Sequence, residues 1–211
     1  MKNNNKIFLG EFIASCFLVM VIVGSGIMAE NLTNDNAVRL LANTIATGAG
    51  LFVLITSFAN ISGAHLNPFV SLSMYLTKKI KGKELLTYVP AQILGCLLGV
   101  MLANVFFEHS IIELSTKNRD GFHIFLSEIV ATFGLIFIIF ATLKDGKTTV
   151  AACVATYISA GYWFTSSTSF ANPAVAIART FTDSFTGINY LNTPTYIFAE
   201  LLGASVAVYT V

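Results

Sequence analysis

The sequence predicts an all-α membrane protein: six transmembrane helices and two re-entrant half-helices, folded as an inverted three-helix repeat. Three observations predict it. The chain is 55% hydrophobic and only 11% charged, where a soluble domain carries about 25% charged residues. Six apolar runs approach the ~20 residues that a spanning helix needs. Two nearly matching stretches, AHLNPFV and SFANPAV, interrupt that pattern 105 positions apart, each irregular and carrying a proline. Residues 1–211 read as a single domain, with a first repeat over 7–107 and a second over 122–211.

The first run, 7–28, follows the basic start MKNNNK and resembles a signal peptide at first sight. It is too long for such a segment and contains Glu11, so it reads as a spanning helix. The second run is 37–59. After it comes NISGAHLNPFVSLSMYLTKKIKGK, too polar to span and too apolar for a solvent loop. The third run is 85–107, the fourth 122–143 and the fifth 148–164. Then TSSTSFANPAVAIARTFTDSFTGINYLNT repeats the intermediate character of the earlier segment, and the sixth run, 194–211, follows.

Basic residues orient these spans, because short cytoplasmic loops carry an excess of Lys and Arg. With the N-terminus in the cytoplasm, Lys2, Lys6, Lys78, Lys79, Lys81, Lys83, Lys144 and Lys147 lie inside. Arg39, Lys117, Arg119 and Arg179 lie outside. The expectation is a multi-pass protein of the cell (plasma or inner) membrane with both termini cytoplasmic.

The halves repeat each other. GEFIASCFLVMVIV opens the first run and SEIVATFGLIFIIF the fourth, placing Glu11 and Glu128 alike. YVPAQILGCLLGV in the third run matches YIFAELLGASVAV in the sixth. Three spans per repeat is an odd number, so the second copy enters the membrane from the opposite face. Each Asn-Pro pair then starts a short helix: Asn67 or Asn172 as cap, Pro68 or Pro173 in the first turn. Ten helical residues reach about 15 Å, half of the ~30 Å hydrocarbon core. The two half-helices are therefore expected to meet at mid-membrane. Irregular backbone survives at that depth only where it lines a cavity or is buried in protein. The stretches NISGAHL and TSSTSFA offer carbonyl acceptors along a water-filled path, and the converging helix N-termini oppose cations and protons.

With SGAHLNP, NPAV and the Glu-containing first and fourth runs, the sequence resembles the aquaporin and aquaglyceroporin (major intrinsic protein) family over nearly its whole length. The resemblance implies one pore per subunit, a homotetramer, and passage of small neutral solutes across the lipid bilayer. It places Asn67, Pro68, Phe69, Asn172, Pro173 and Ala174 at the pore midplane. Two departures stand out. Phe69 occupies the place of an alanine. Val175 occupies the place of the arginine that usually narrows the outer mouth. Arg179, one turn further, is expected at the outer interface or paired with Asp183. The remaining constriction positions implied by the resemblance are Thr47, Ala160 or Gly161, and Ser169 with Thr168 beside it. Together with Val175 they describe a wide, weakly polar opening without arginine, histidine or aromatic clamp. It resembles the bacterial Asn-Pro-Ala-Val subgroup, linked to arsenite and other metalloid hydroxides.

Glu11 and Glu128 are expected to be structural acids that accept backbone donors from their own half's re-entrant loop. His65 is a candidate pH gate or a loop-packing residue. Tyr162 and Trp163 read as an outer aromatic belt. His109, His123, Glu108, Glu113 and Asp120 match no zinc pattern, and Cys16, Cys96 and Cys153 form no C-x-x-C pair. No metal or cofactor is expected. Nothing resembles a nucleophile–base constellation or a phosphate loop, so an enzyme is not expected. A net charge of +1 without a basic patch gives no reason to expect a nucleic-acid partner. The leading function is a passive channel for water, glycerol-like polyols and metalloid hydroxides. The alternatives are an ion- or proton-coupled carrier and a non-conducting aquaporin-like scaffold.

Overall fold

The computed structural model describes residues 4–211, so Lys2 lies outside the described residues. The described residues are helical, with no strand among them: α1 (Asn4–Leu32), α2 (Asn36–Phe58), α3 (Pro68–Leu76), α4 (Gly82–Phe106), α5 (Phe122–Thr142), α6 (Lys147–Phe164), α7 (Pro173–Ala178) and α8 (Thr193–Thr210). A 3₁₀ turn, Arg179–Phe181, continues α7. Helices α1, α2 and α4, and α5 with the short turn after it, are long and apolar enough to cross a membrane. Helices α6 and α8 have 18 residues each, about 27 Å of helix.

Local chemistry sets the boundaries. Asp35 caps α2 by accepting from the amides of Ala37 (2.8 Å) and Val38 (3.1 Å). The Glu84 carboxylate accepts from the Lys81 amide (2.7 Å) at the start of α4. Positive-φ glycines, Gly121 and Gly146, precede α5 and α6.

The halves pack alike. Helix α1 lies along α4, and α5 along α8. Both pairings depend on glycine. A side chain at Gly95 or Gly99 would collide with the α1 carbonyls of Phe12 or Cys16, and one at Gly203 with the α5 carbonyl of Ile129. Such close backbone approach is how helices associate in lipid, where hydrophobic burial supplies little. Outward faces stay apolar: Leu9, Ile13 and Phe17 on α1 and Trp163 and Phe164 at the end of α6 are exposed. The half-helices α3 and α7 meet inside the bundle, and α3 also touches α8.

Candidate functional site

Before each half-helix the chain runs through left-handed backbone. Ala64 and Leu66 have φ of 52° and 53°. Ser169 and Ala171 have 52° and 47°. Non-glycine residues held there cost about 1–3 kcal/mol each, so the surroundings must over-determine them. A buried carboxylate does so in each half. Glu11 Oε1 accepts from Ser62 Oγ (2.6 Å) and the His65 amide (3.1 Å). Its Oε2 accepts from the Leu66 amide (2.7 Å) and Gln92 Nε2 (2.8 Å). In the second half, Glu128 accepts from the amides of Phe170 (2.9 Å) and Ala171 (2.8 Å), and Glu200 from that of Asn172 (2.9 Å).

Within a trans peptide the C=O points opposite to the N–H. Tying these amides back therefore turns the carbonyls of Ala64, His65, Ser169 and Phe170 the other way. On that side lies a cavity of about 480 Å³. Its wall has two kinds of surface. The re-entrant loops supply polar backbone. The long helices supply i, i+4 stripes: Thr47, Leu51 and Ile55 on α2; Leu135 and Ile139 on α5; Val150, Val154, Ile158 and Tyr162 on α6.

At mid-cavity the two asparagines interlock. Asn67 Oδ1 accepts from the Phe69 amide (2.8 Å) and caps α3, while its Nδ2 donates to Ala171 O (2.6 Å). Asn172 Oδ1 accepts from the amides of Ala174 (3.1 Å) and Val175 (3.4 Å), while its Nδ2 donates to Leu66 O (2.8 Å). Each side chain thus starts its own half-helix and holds the other half's loop, and both line the cavity.

The family model described as major intrinsic protein matches residues 1–210. The chain belongs to the major intrinsic protein family. It is 47% identical to aquaglyceroporin AqpS of Rhizobium meliloti, covering 93% of this chain and 84% of that protein. It is 32% identical to aquaporin TIP1-2 of Musa acuminata, covering 96% and 83%. The X-ray structure of the aquaglyceroporin from Plasmodium falciparum shares the fold, with a TM-score of 0.78 at 22% identity, covering 98% of this chain and 95% of that one. This major intrinsic protein is thus a membrane protein of a family of channels, not of enzymes.

The remaining site residues divide by position. Thr47, His65, Ser169 and Val175 line the cavity. Pro68, Phe69, Pro173 and Ala174 are buried behind that wall. Phe69 belongs to the hydrophobic core rather than the lining. His65 Nδ1 lies 3.0 Å from Ser71 Oγ, and its ring stacks on Tyr88 with centroids 4.1 Å apart.

Four sequence expectations need correction. Neither Ala160 nor Gly161 is on the wall. Ala160 is exposed on the outside of the bundle, and Gly161 is buried against Ser169. The α6 stripe reaches the cavity at Tyr162 instead, because 150, 154, 158 and 162 share one face. Tyr162 is therefore no belt residue: it is buried and donates to Thr47 Oγ1 (3.1 Å). Arg179 is likewise neither interfacial nor paired with Asp183. It is 3% exposed, its Nε donates to Thr186 O, and its guanidinium carbon lies 3.4 Å from the Phe170 ring centroid. Asp183 accepts from Thr116 instead, at 2.9 Å from its amide. With Arg179, Phe170 and Tyr162 on the wall, the opening is not the arginine-free, aromatic-free mouth that the sequence suggested.

Further out, Arg119 donates to the carbonyls of Gly187 (2.8 Å) and Phe185 (3.0 Å), and Lys117 Nζ to Phe185 O (2.9 Å). Burial holds the Lys117 pKa below the usual lysine range, and neighbouring Arg119 adds to the effect. Glu30 accepts from the Phe185 amide (2.8 Å). These contacts tie the 185–187 stretch to Glu30 and to Lys117 and Arg119.

Proposed function

We propose that this chain is a passive transmembrane channel for small uncharged solutes, water and glycerol-like polyols first among them. We propose also that compact metalloid hydroxides such as As(OH)3 take the same path. The observation that carries the reading is the interlocked pair Asn67 and Asn172 on the wall of one continuous cavity. A neutral solute entering the cavity gives up water. It recovers hydrogen bonds from the loop carbonyls and the asparagine amides, while the apolar stripes leave it free to move on. Apart from the phenol of Tyr162, the ionisable side chains on that wall, His65, Lys79, Lys147 and Arg179, are bases, and no Asp or Glu lines it among the described residues. A cation would find no counter-charge there. Glu11, Glu128 and Glu200 are occupied in holding backbone amides, which argues against a proton-coupled carrier. The aquaglyceroporin relatives support solutes of glycerol size. Val175, short and apolar, leaves lateral room beside the path.

The apolar outward faces fit both lipid and further copies of the chain, and a homotetramer with one pore per subunit is proposed. The lysines at 78–83 and 144–147 support cytoplasmic termini in the cell membrane. Stopped-flow measurements on proteoliposomes test the function. Glycerol and water fluxes well above those of empty liposomes, linear in the gradient and indifferent to a proton gradient, are expected. Fluxes equal to empty liposomes, or uptake driven by a proton gradient, would overturn it.

A further inference from the structure

We propose that Arg179 is a specificity-determining residue of the outer constriction, delivering its guanidinium from one helical turn beyond Val175. The proposal rests on the channel reading above.

Register carries it first. The re-entrant segments are offset by 105 positions, and the same positions face the cavity in both. Val70 and Val175, three residues after each asparagine, line it. So do Met74 and Arg179, seven residues after. The seventh position thus looks into the path because of the half-helix geometry. The outer half has placed a cation where the inner half has a thioether.

Contacts carry it second. Arg179 Nε donates to Thr186 O, and the guanidinium lies flat enough on Phe170 to bring its carbon 3.4 Å from the ring centroid. A second guanidinium, Arg119, lies 5.5 Å from the same ring. Nε and the ring fix the orientation. The two terminal nitrogens make no hydrogen bond or ion pair with protein among the described residues. The carboxylates are engaged elsewhere: Glu128, the one that acts on Arg179 through space, with the amides of Phe170 and Ala171, Asp183 with Thr116, and Glu30 with the Phe185 amide and Arg39 (4.0 Å).

Energetics carries it third. An arginine that is 97% buried without a carboxylate partner is costly unless its N–H groups meet water or solute. Its terminal nitrogens therefore donate into the path. The species that suits two parallel donors above an aromatic ring is a neutral molecule with adjacent hydroxyl oxygens, its carbon edge against Phe170. A cation meets like charge there instead.

Replacing Arg179 by methionine copies the inner mouth's Met74 into the outer one. Arg179→Lys keeps the charge and removes the planar fork. Both variants, with wild type, are purified, checked for oligomeric homogeneity, and reconstituted for stopped-flow measurement of glycerol and water permeability. The glycerol-to-water permeability ratio is expected to shift by about threefold or more in each variant. A ratio within about 1.5-fold of wild type in a well-assembled Arg179→Met overturns the proposal. If that variant fails to assemble, an unchanged ratio in Arg179→Lys overturns it, and a shifted one supports it. Wild-type glycerol flux no greater than that of empty liposomes is a different failure, since it removes the channel reading itself.

Discussion

In the first half of the molecule, Glu11 alone gathers the amides of His65 and Leu66, with Ser62 and Gln92 completing its shell. In the second, Glu128 and Glu200 divide the amides of Phe170, Ala171 and Asn172. The ring in front of each asparagine differs too. His65 stacks on Tyr88 at 4.1 Å, and Phe170 lies against Tyr196 at 4.8 Å. One turn into the half-helices the pair is Val70 and Val175; one turn further it is Met74 and Arg179. The frame that bends the backbone is kept in both halves, since left-handed residues with buried amides need an acceptor. On the cavity wall the asparagines and valines are kept, while the ring before each asparagine and the residue seven after it are not. Side chains buried behind the wall are thus the ones to test by stability, and side chains on it by flux.

The largest effect is expected from breaking the shared frame. Glu11→Leu removes the acceptor shared by four donors, among them the two loop amides of His65 and Leu66, at about 1–3 kcal/mol for each donor left unsatisfied, enough to prevent assembly, so no homogeneous peak is expected on size exclusion. Glu128→Leu should behave alike, and tolerance of only one would break the equivalence of the halves. Next is Phe69, whose counterpart is the small Ala174. Phe69→Ala should cost about 3 kcal/mol of stability through the cavity it leaves, with permeability changed less than about twofold. A large gain in flux would show instead that the ring obstructs the path. Val175→Arg should lower glycerol permeability about tenfold and water permeability less; an equal fall for both in a well-folded variant would remove Val175 as a size filter. Smallest is Glu200→Gln, which gives the second half the acid–amide pair of the first. Because two adjoining carboxyls repel when both are ionised, the amide should change the thermal midpoint by less than about 1 kcal/mol equivalent.

Much of this frame could be read from the residues. The spanning runs 37–59 and 122–143 correspond to α2 and α5 within one residue at each end, because their limits are set by nearby polar residues and by Gly121. Asn67 and Asn172 were legible because capping is local chemistry, and repetition in register made it specific. Arg179 and Tyr162 were not legible, for separate reasons. Asp183 lies four residues after Arg179 and so looked like a helical ion pair. But α7 ends at Ala178 and passes into a 3₁₀ turn, so i, i+4 spacing no longer brings them together. Tyr162 stands beside exposed Trp163 and shared its interfacial reading. Only the four-residue period running back through Ile158, Val154 and Val150 marks it as inward.

The measurement closest to the central claim, that solutes travel between the two half-helices, is thiol block at the paired valines. In a background with Cys16, Cys96 and Cys153 replaced by alanine, Val70→Cys and Val175→Cys are each reconstituted and treated with a small neutral thiol reagent. Modification at either position is expected to abolish most glycerol flux, because both side chains stand on the wall of the same cavity. Complete modification at both positions with glycerol flux unchanged would contradict it.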